Sequence, residues 1–419
     1  MTARPQALWP HMTPVRNQGD DRYCTVSANG TRITFADGRT LLCATSGLWN
    51  CVLGYGNEVI AGAVHDALLD ASYLSVWRYE NTYARRAADA LVTAAGAEQF
   101  GRVLFSTSGG AANDLAMKVV RHFFALRGEH SRKGIIGLHG AWHGLTFGAA
   151  ALTSGDLGHR VYGIDRRLVT HVSPNDTGEL TRLLQQHPGR IGAVVVEPVI
   201  GTPALVLEDA YIADLLRLRE EHGFLLVADE VTTGFWRVGP FFASQAWPEP
   251  PDLIITAKGL TNGTVAASAV IVSHRVAEAF VDAEAVLGHG ETQAGTPPAA
   301  AAILATLAEM RRLDAAALNA GLSARLDTEL AHLIADTSEV VATSGRGCLR
   351  AAMVRGPGNS ELDDDEVAAL VAAIRAEGAI VHPGPSCFQL LPALVYTDED
   401  VAELFASIRA GIKRYFHEH

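Results

Sequence analysis

FLLVADEVTTGF at 224–235, followed after a gap by PDLIITAKGLTNG at 251–263, decides how this chain is read. Each stretch is an apolar, β-branched run that ends on a charged residue and then turns polar and glycine-rich. A buried parallel strand has this pattern when it delivers a side chain to a site beyond its carboxyl end. The first run presents Asp229 and the second presents Lys258, between Ala257 and Gly259. An acid and a lysine delivered to one sheet edge suggest a lysine used as a nucleophile and a carboxylate that holds a cationic ring.

Working outward, GRVLFST, KGIIGLHG, RLVTHVSP, IGAVVVEPVIG (191–201) and ASAVIVS (267–273) read as further strands. NDLAMKVVRHFFALRG (113–128) and LEDAYIADLLRLREEHG (207–223) are amphipathic and read as helices, the second stopped by Gly223. The alternation predicts an α/β protein with a mostly parallel, doubly covered sheet over roughly 50–290. Upstream, YCTVSA, TRITFA and RTLLCAT, split by Asn29-Gly30 and Asp37-Gly38, predict an antiparallel meander. From about 297 long helices alternate with a mixed segment, and Thr397 and Asp400 have capping-box spacing before the last helix. We therefore expect a large domain at 50–296 and a smaller α+β domain built from 1–49 and 297–419. Residues 1–19 read as irregular, with Trp9, His11 and Met12 exposed.

Composition narrows the classes. Hydrophobic residues make up 48% and charged residues 19% of the 419, which is globular and excludes a disordered chain. A net charge of −12 without a basic stripe argues against nucleic acid. Five scattered cysteines, with no CxxC, argue against a disulfide framework or zinc site. No basic patch precedes an apolar run, and the alanine-rich runs are broken by charge, so a cytoplasmic protein away from membranes is expected.

Other candidates end on the same sheet edge. In STSGGAAND (106–114), the backbone N–H groups of Gly109 and Gly110 at a helix start can hold a phosphate dianion, although a glycine pair there is often only steric. The segment lacks a P-loop lysine, which argues against a nucleotide. In HGAWHG (139–144), Trp142 can stack on a ring and His143 can hydrogen-bond beside it. A core tryptophan next to a satisfied histidine is the plain alternative, and His139 and His143 lack the context of a metal pair. Glu197 closes its strand and either meets a polar group or caps a turn. A lysine that adds to a carbonyl, an acid for a ring nitrogen, a phosphate cradle and a stacking group together point to pyridoxal 5'-phosphate (PLP).

These segments resemble the class-III aminotransferases of PLP fold type I over essentially the whole chain. The most specific piece is VADEVTTGFWRVG…PDLIITAKGL, with 29 residues from Asp229 to Lys258. The resemblance implies that Lys258 is the Schiff-base lysine, that Asp229 pairs with the ring nitrogen, and that Val231 and Trp142 cover the two ring faces. TSGGAAN stands at the phosphate cradle. HGETQAGTP (289–297) implies that Thr292 reaches the phosphate of the other subunit's cofactor, hence an obligate homodimer with shared active sites.

Departures from the family pattern fall on contact positions. Gly110 stands for a Thr or Ser, Ala111 for a Glu, and Thr232 for a Gln that touches the ring hydroxyl. Gln389 replaces an Arg that clamps a substrate carboxylate, and a neutral amide cannot do that work. Either Arg346 or Arg237 serves instead, or the substrate carries no carboxylate there. Trp49, Trp77, Tyr79 and Trp236 are candidates for an aromatic pocket. The expected function is amino transfer from an amine or amino-acid donor to a ketone or aldehyde, such as a modified peptide C-terminus. A 2,1-aminomutase or racemase on the same fold, or a non-catalytic PLP-fold binding protein, are the alternatives.

Overall fold

The structure is a computed structural model that describes residues 7–417. The start of the irregular 1–19 stretch lies outside the described residues; the remainder of it holds one short 3-10 turn at Val15–Asn17, with Trp9 and Met12 exposed.

Seven strands form the central sheet, in the order Phe100–Ser106, Ser268–Ser273, Leu253–Thr256, Leu225–Asp229, Ile191–Val196, Gly134–Leu138, Val169–Val172. Only Ser268–Ser273 runs antiparallel to its neighbours. The two strands of the deciding stretch are adjacent and in register, with Asp229 opposite Ile255. Both are buried along their whole length, which accounts for their unbroken apolar runs.

Alternate residues feed cores on the two faces of the sheet. Leu225, Val227, Ile255 and Val270 pack under the helix Gly109–Leu126. On the opposite face Leu226, Val194 and Val196 meet Asp209–His222 and Thr177–Gln186, while Ile254 and Ile271 meet Thr82–Ala95 and Pro297–Arg312. Two expected elements are corrected in extent. The helix after GRVLFST starts at Gly109 instead of 113, because the Ser108 side chain caps it by accepting from Ala111 N–H. The long strand at 191–201 breaks after Val196, since Pro198 cannot donate to a ladder; Val199–Ile200 pairs instead with Leu205–Val206.

The smaller part of the fold comes from both ends of the chain. The meander Thr25–Asn29, Arg32–Phe35, Thr40–Cys43 forms as read, and Ala379–Ile380 joins it in parallel beside Thr40–Cys43. A second sheet holds Val340–Arg346, Leu349–Val354, Cys387–Leu390 and His382–Gly384. Thr397 and Asp400 cap the last helix, Asp398–His417, each side chain accepting from the other's N–H at 3.2 Å. No helix among the described residues is long and apolar enough to cross a membrane, and no cluster of side chains there suits a metal ion.

Candidate active site

A cavity of about 430 Å³ opens at the carboxyl ends of the central strands, lined by Gly109, Gly110, Trp142, His143, Asp229, Val231 and Lys258 among others. The strand Leu225–Asp229 carries Asp229 to its floor. There one carboxylate oxygen accepts from Asn113 Nδ2 at 2.9 Å and from His143 Nδ1 at 2.7 Å, while the other accepts from Val231 N–H at 3.1 Å. Burial pushes this carboxyl up, but the His143 and Asn113 hydrogen bonds outweigh it and hold Asp229 below the ordinary aspartate range. His143 shows the counterpart: burial pulls it down, and the Asp229 contact lifts it above an ordinary histidine.

Lys258 follows the neighbouring strand and takes φ +44°, a left-handed conformation that costs a side-chain-bearing residue about 1–2 kcal/mol. Its Nζ donates to Thr232 Oγ1 at 2.7 Å and lies 4.7 Å from the centre of the Trp49 ring. Burial drives its pKa down to about 8, against the pull of Glu197 and Asp229. Glu197 is buried behind Trp142, accepting from Trp142 N–H at 2.8 Å and Gly201 N–H at 3.3 Å, and burial raises it to about 7.

The opposite rim is the start of the helix Gly109–Leu126, where unpaired N–H groups favour an anion. A Cβ on Gly109 would lie 3.3 Å from Val231, and one on Gly110 would lie 3.3 Å from Thr146 Oγ1, so side chains there would fill the cradle. Thr146 Oγ1 and Asn113 Oδ1 are buried polar atoms with no partner among the described residues. A phosphorylated pyridine ring fits this arrangement: anion-binding N–H groups at one end, a buried ionised carboxylate at the other, and an amine between.

With that geometry in hand, the relatives are informative. The model for class-III aminotransferases matches residues 15–412. The chain belongs to the class-III aminotransferase family. It is 30% identical to an omega-aminotransferase of Caulobacter vibrioides, covering 96% of each chain. It is also 30% identical to an acetylornithine aminotransferase of Mycobacterium bovis, over 96% of this chain and 94% of the relative. A PLP-bound amine transaminase from an uncultivated Pseudomonas species superposes with a TM-score of 0.92 at 25% identity, covering 98% of this chain and 99% of that one. The chain is therefore a PLP-dependent aminotransferase of fold type I, transferring an amino group between an amine or amino-acid donor and a carbonyl acceptor.

The structure does not bring every candidate to this aminotransferase cavity. Trp49 is buried against Lys258, at the end of a left-handed turn in which Ser46, Gly47, Leu48 and Trp49 all have positive φ. Trp236 is half-buried, packing edge-on to Phe241 against the core. Tyr79 and Arg346 are exposed. Arg237 is fully buried; its guanidinium donates to Pro392 O at 2.6 Å, and burial lowers it to about 10. Thr292 is exposed and outside the cavity lining, its carbonyl accepting from the Tyr73 hydroxyl. Gln389 is fully buried in its strand, with its amide on the 201–202 turn.

Sequence reasoning missed Asn113, which bonds Asp229, Gly109 O and His143 O together. Its signal was its place four residues after Gly109, where a helical side chain leans back toward the N-terminus. It also missed His382, whose ring meets Trp49 edge-on at 5.1 Å and is held to about 4 by burial and by Lys258.

Proposed function

We propose that this aminotransferase moves an amino group to a terminal ketone or aldehyde on a biosynthetic intermediate, a modified peptide C-terminus among the candidates. The observation that carries the chemistry is one lysine amine, lowered to about 8, held by Thr232 in the same cavity as a buried, ionised Asp229. When bound, PLP supplies an aldehyde through which amines exchange and a ring that draws off the electron pair left by a departing proton.

On this reading Gly109 and Gly110 hold the phosphate, Trp142 and Val231 bracket the ring, and Asp229 keeps the ring nitrogen protonated. His143 and Asn113 keep Asp229 ionised. Lys258 Nζ takes the proton from the donor's α-carbon and later returns one to the acceptor's carbonyl carbon. Glu197, at about 7, sets the charge behind Trp142. The protein works as a cytoplasmic homodimer in which the partner subunit's copy of Thr292 completes the phosphate site. Exposed apolar side chains such as Leu69, Tyr79 and Phe147 support such a face.

The choice of acceptor rests on Gln389, which offers no cation to a substrate carboxylate. Arg237 is fully buried and outside the cavity lining, with Nη1 donating to the Pro392 carbonyl. The test is to supply donors without acceptor and follow the cofactor's visible absorbance together with the keto product. Stoichiometric product from simple amines supports the reading. If no cofactor band forms with added PLP, or Lys258→Ala turns over normally, the mechanism fails; normal glutamate turnover sinks the non-carboxylate argument for the donor half-reaction.

A further inference from the structure

Gln389 lies where the resemblance expects a guanidinium aimed at substrate, yet its amide is directed elsewhere. Nε2 donates to the Gly201 carbonyl, and Oε1 accepts from the Thr202 hydroxyl at 3.1 Å. The side chain is fully buried. The turn held in this way lies between two groups of the site. Gly201 N–H donates to Glu197, and a Cβ on Gly201 would come within 2.8 Å of the Trp49 indole. The same indole is the one that faces Lys258 Nζ and meets His382.

Two further contacts bind this turn and Trp49 to the C-terminal segments. The Ser344 hydroxyl donates to Pro203 O at 2.7 Å. The Ser46 hydroxyl, at the start of the left-handed turn that ends on Trp49, donates to the carbonyl of Leu391, two residues beyond Gln389. Trp49 is thus fixed from its own backbone on one side and from Gly201 on the other, and both fixings lead to the strand of Gln389 and the residues just after it.

We infer that Gln389 is a positioning residue: through Gly201 and Thr202 it seats Trp49 and Glu197 around Lys258, and it makes no contact with a substrate carboxylate. The inference rests on the site proposed above. Replacing the amide by Leu removes both hydrogen bonds and leaves the Gly201 carbonyl held from within its own turn by Ala204 N–H, so the turn is no longer tied to the strand of Gln389 and the indole shifts. A misplacement of this kind lowers the rate for every substrate alike.

The experiment compares the holoenzyme with Gln389→Leu, Thr202→Val and Gln389→Arg, using alanine and isopropylamine as donors that differ in a carboxylate. Gln389→Leu is expected to lower kcat about tenfold for both donors, leave the ratio of their KM values unchanged, and shift the kcat–pH profile, because the displaced turn carries the Gly201 N–H that Glu197 accepts from. Thr202→Val, which removes one of the two hydrogen bonds at similar volume, should reproduce about a threefold part of the loss. A rise in KM for alanine alone overturns the inference, as does an unchanged kcat and pH profile in Gln389→Leu, or a Gln389→Arg enzyme that gains on alanine at undiminished kcat. Should the unaltered protein turn over neither donor, it is the proposed function that fails. The positioning role is then read from cofactor affinity, which Gln389→Leu lowers if the inference holds and leaves unchanged if it does not.

Discussion

His143 Nδ1 and the Asp229 carboxylate stand 2.7 Å apart, with both side chains shut away from solvent. The contact matters because burial alone would drive Asp229 toward its neutral form, and a neutral acid cannot keep a pyridine nitrogen protonated. His143 and Asn113 between them reverse that tendency. Asp229→Asn should therefore lower kcat on the order of 10²–10⁴-fold, as expected for loss of a proton-transfer partner. His143→Leu leaves the acid in place but removes its stronger support, and a smaller loss, about tenfold or more, is expected. Steady-state kinetics alongside cofactor content checks both, and equal losses in the two variants would contradict this ordering.

Lys258 carries a cost in the cofactor-free protein. Its folded pKa of about 8 lies below the ordinary 10.5, so the fold is penalised whenever the amine is protonated. Below about pH 8 both states hold the proton and the penalty is complete. Between about 8 and 10.5 the unfolded chain still binds the proton that the folded one has released, so stability rises with pH. Lys258→Met removes the titration at similar volume. Cofactor-free Lys258→Met should therefore unfold at a higher temperature than the parent at pH 7, with the gap closing as pH approaches 10. Calorimetry across that range decides it, and a gap that stays constant would show that Lys258 is not the source.

Glu197 acts on the same amine from a distance. Its charge raises the Lys258 pKa, in opposition to burial. Because Glu197 itself titrates at about 7, it is charged at pH 8, where the lysine changes state. Glu197→Gln should move the midpoint for cofactor capture by the apoprotein to a lower pH than the parent's value of about 8. Stopped-flow capture rates from pH 6 to 9 read this directly. A midpoint that moved upward would reverse the assigned sign.

How much of this was legible beforehand depended on the kind of signal. Asp229 and Lys258 stood out because a buried parallel strand must be apolar until its last residue, so any charge at its end has been placed there. Gly109 and Gly110 could be read as a glycine pair at a helix start, where free N–H groups face an anion. What tertiary packing decides could not be read. Gly47 hints at the left-handed turn before Trp49, but no pattern marks the positive φ of Ser46, Leu48 and Trp49 on either side of it, or that of Lys258, since none of these four is a glycine. Gln389 was legible as a departure from the expected arginine. Its partners, nearly 190 residues earlier in the chain, were not. The hydrogen bond that Thr232 accepts from Lys258 had no signal in the sequence either.

Gly144 closes the account of the cradle. At φ +112° it occupies a conformation that a side chain resists, and a Cβ there would fall 2.5 Å from Gly110 Cα and 3.1 Å from Gly110 N. Both are backbone atoms, so the collision cannot be relieved by rotating a side chain. Gly144→Ala must push the first turn of the helix Gly109–Leu126 away, and overpacking of this kind costs about 1–3 kcal/mol. The N–H groups of that turn are the proposed phosphate site, so the strain falls on cofactor binding more than on the rest of the fold. The expected outcome is at least about a tenfold weaker affinity for PLP, and a similar loss for inorganic phosphate, with the far-UV spectrum unchanged. Equilibrium titration of the apoprotein measures it. Native affinity in Gly144→Ala would mean that the phosphate does not rely on the Gly110 backbone.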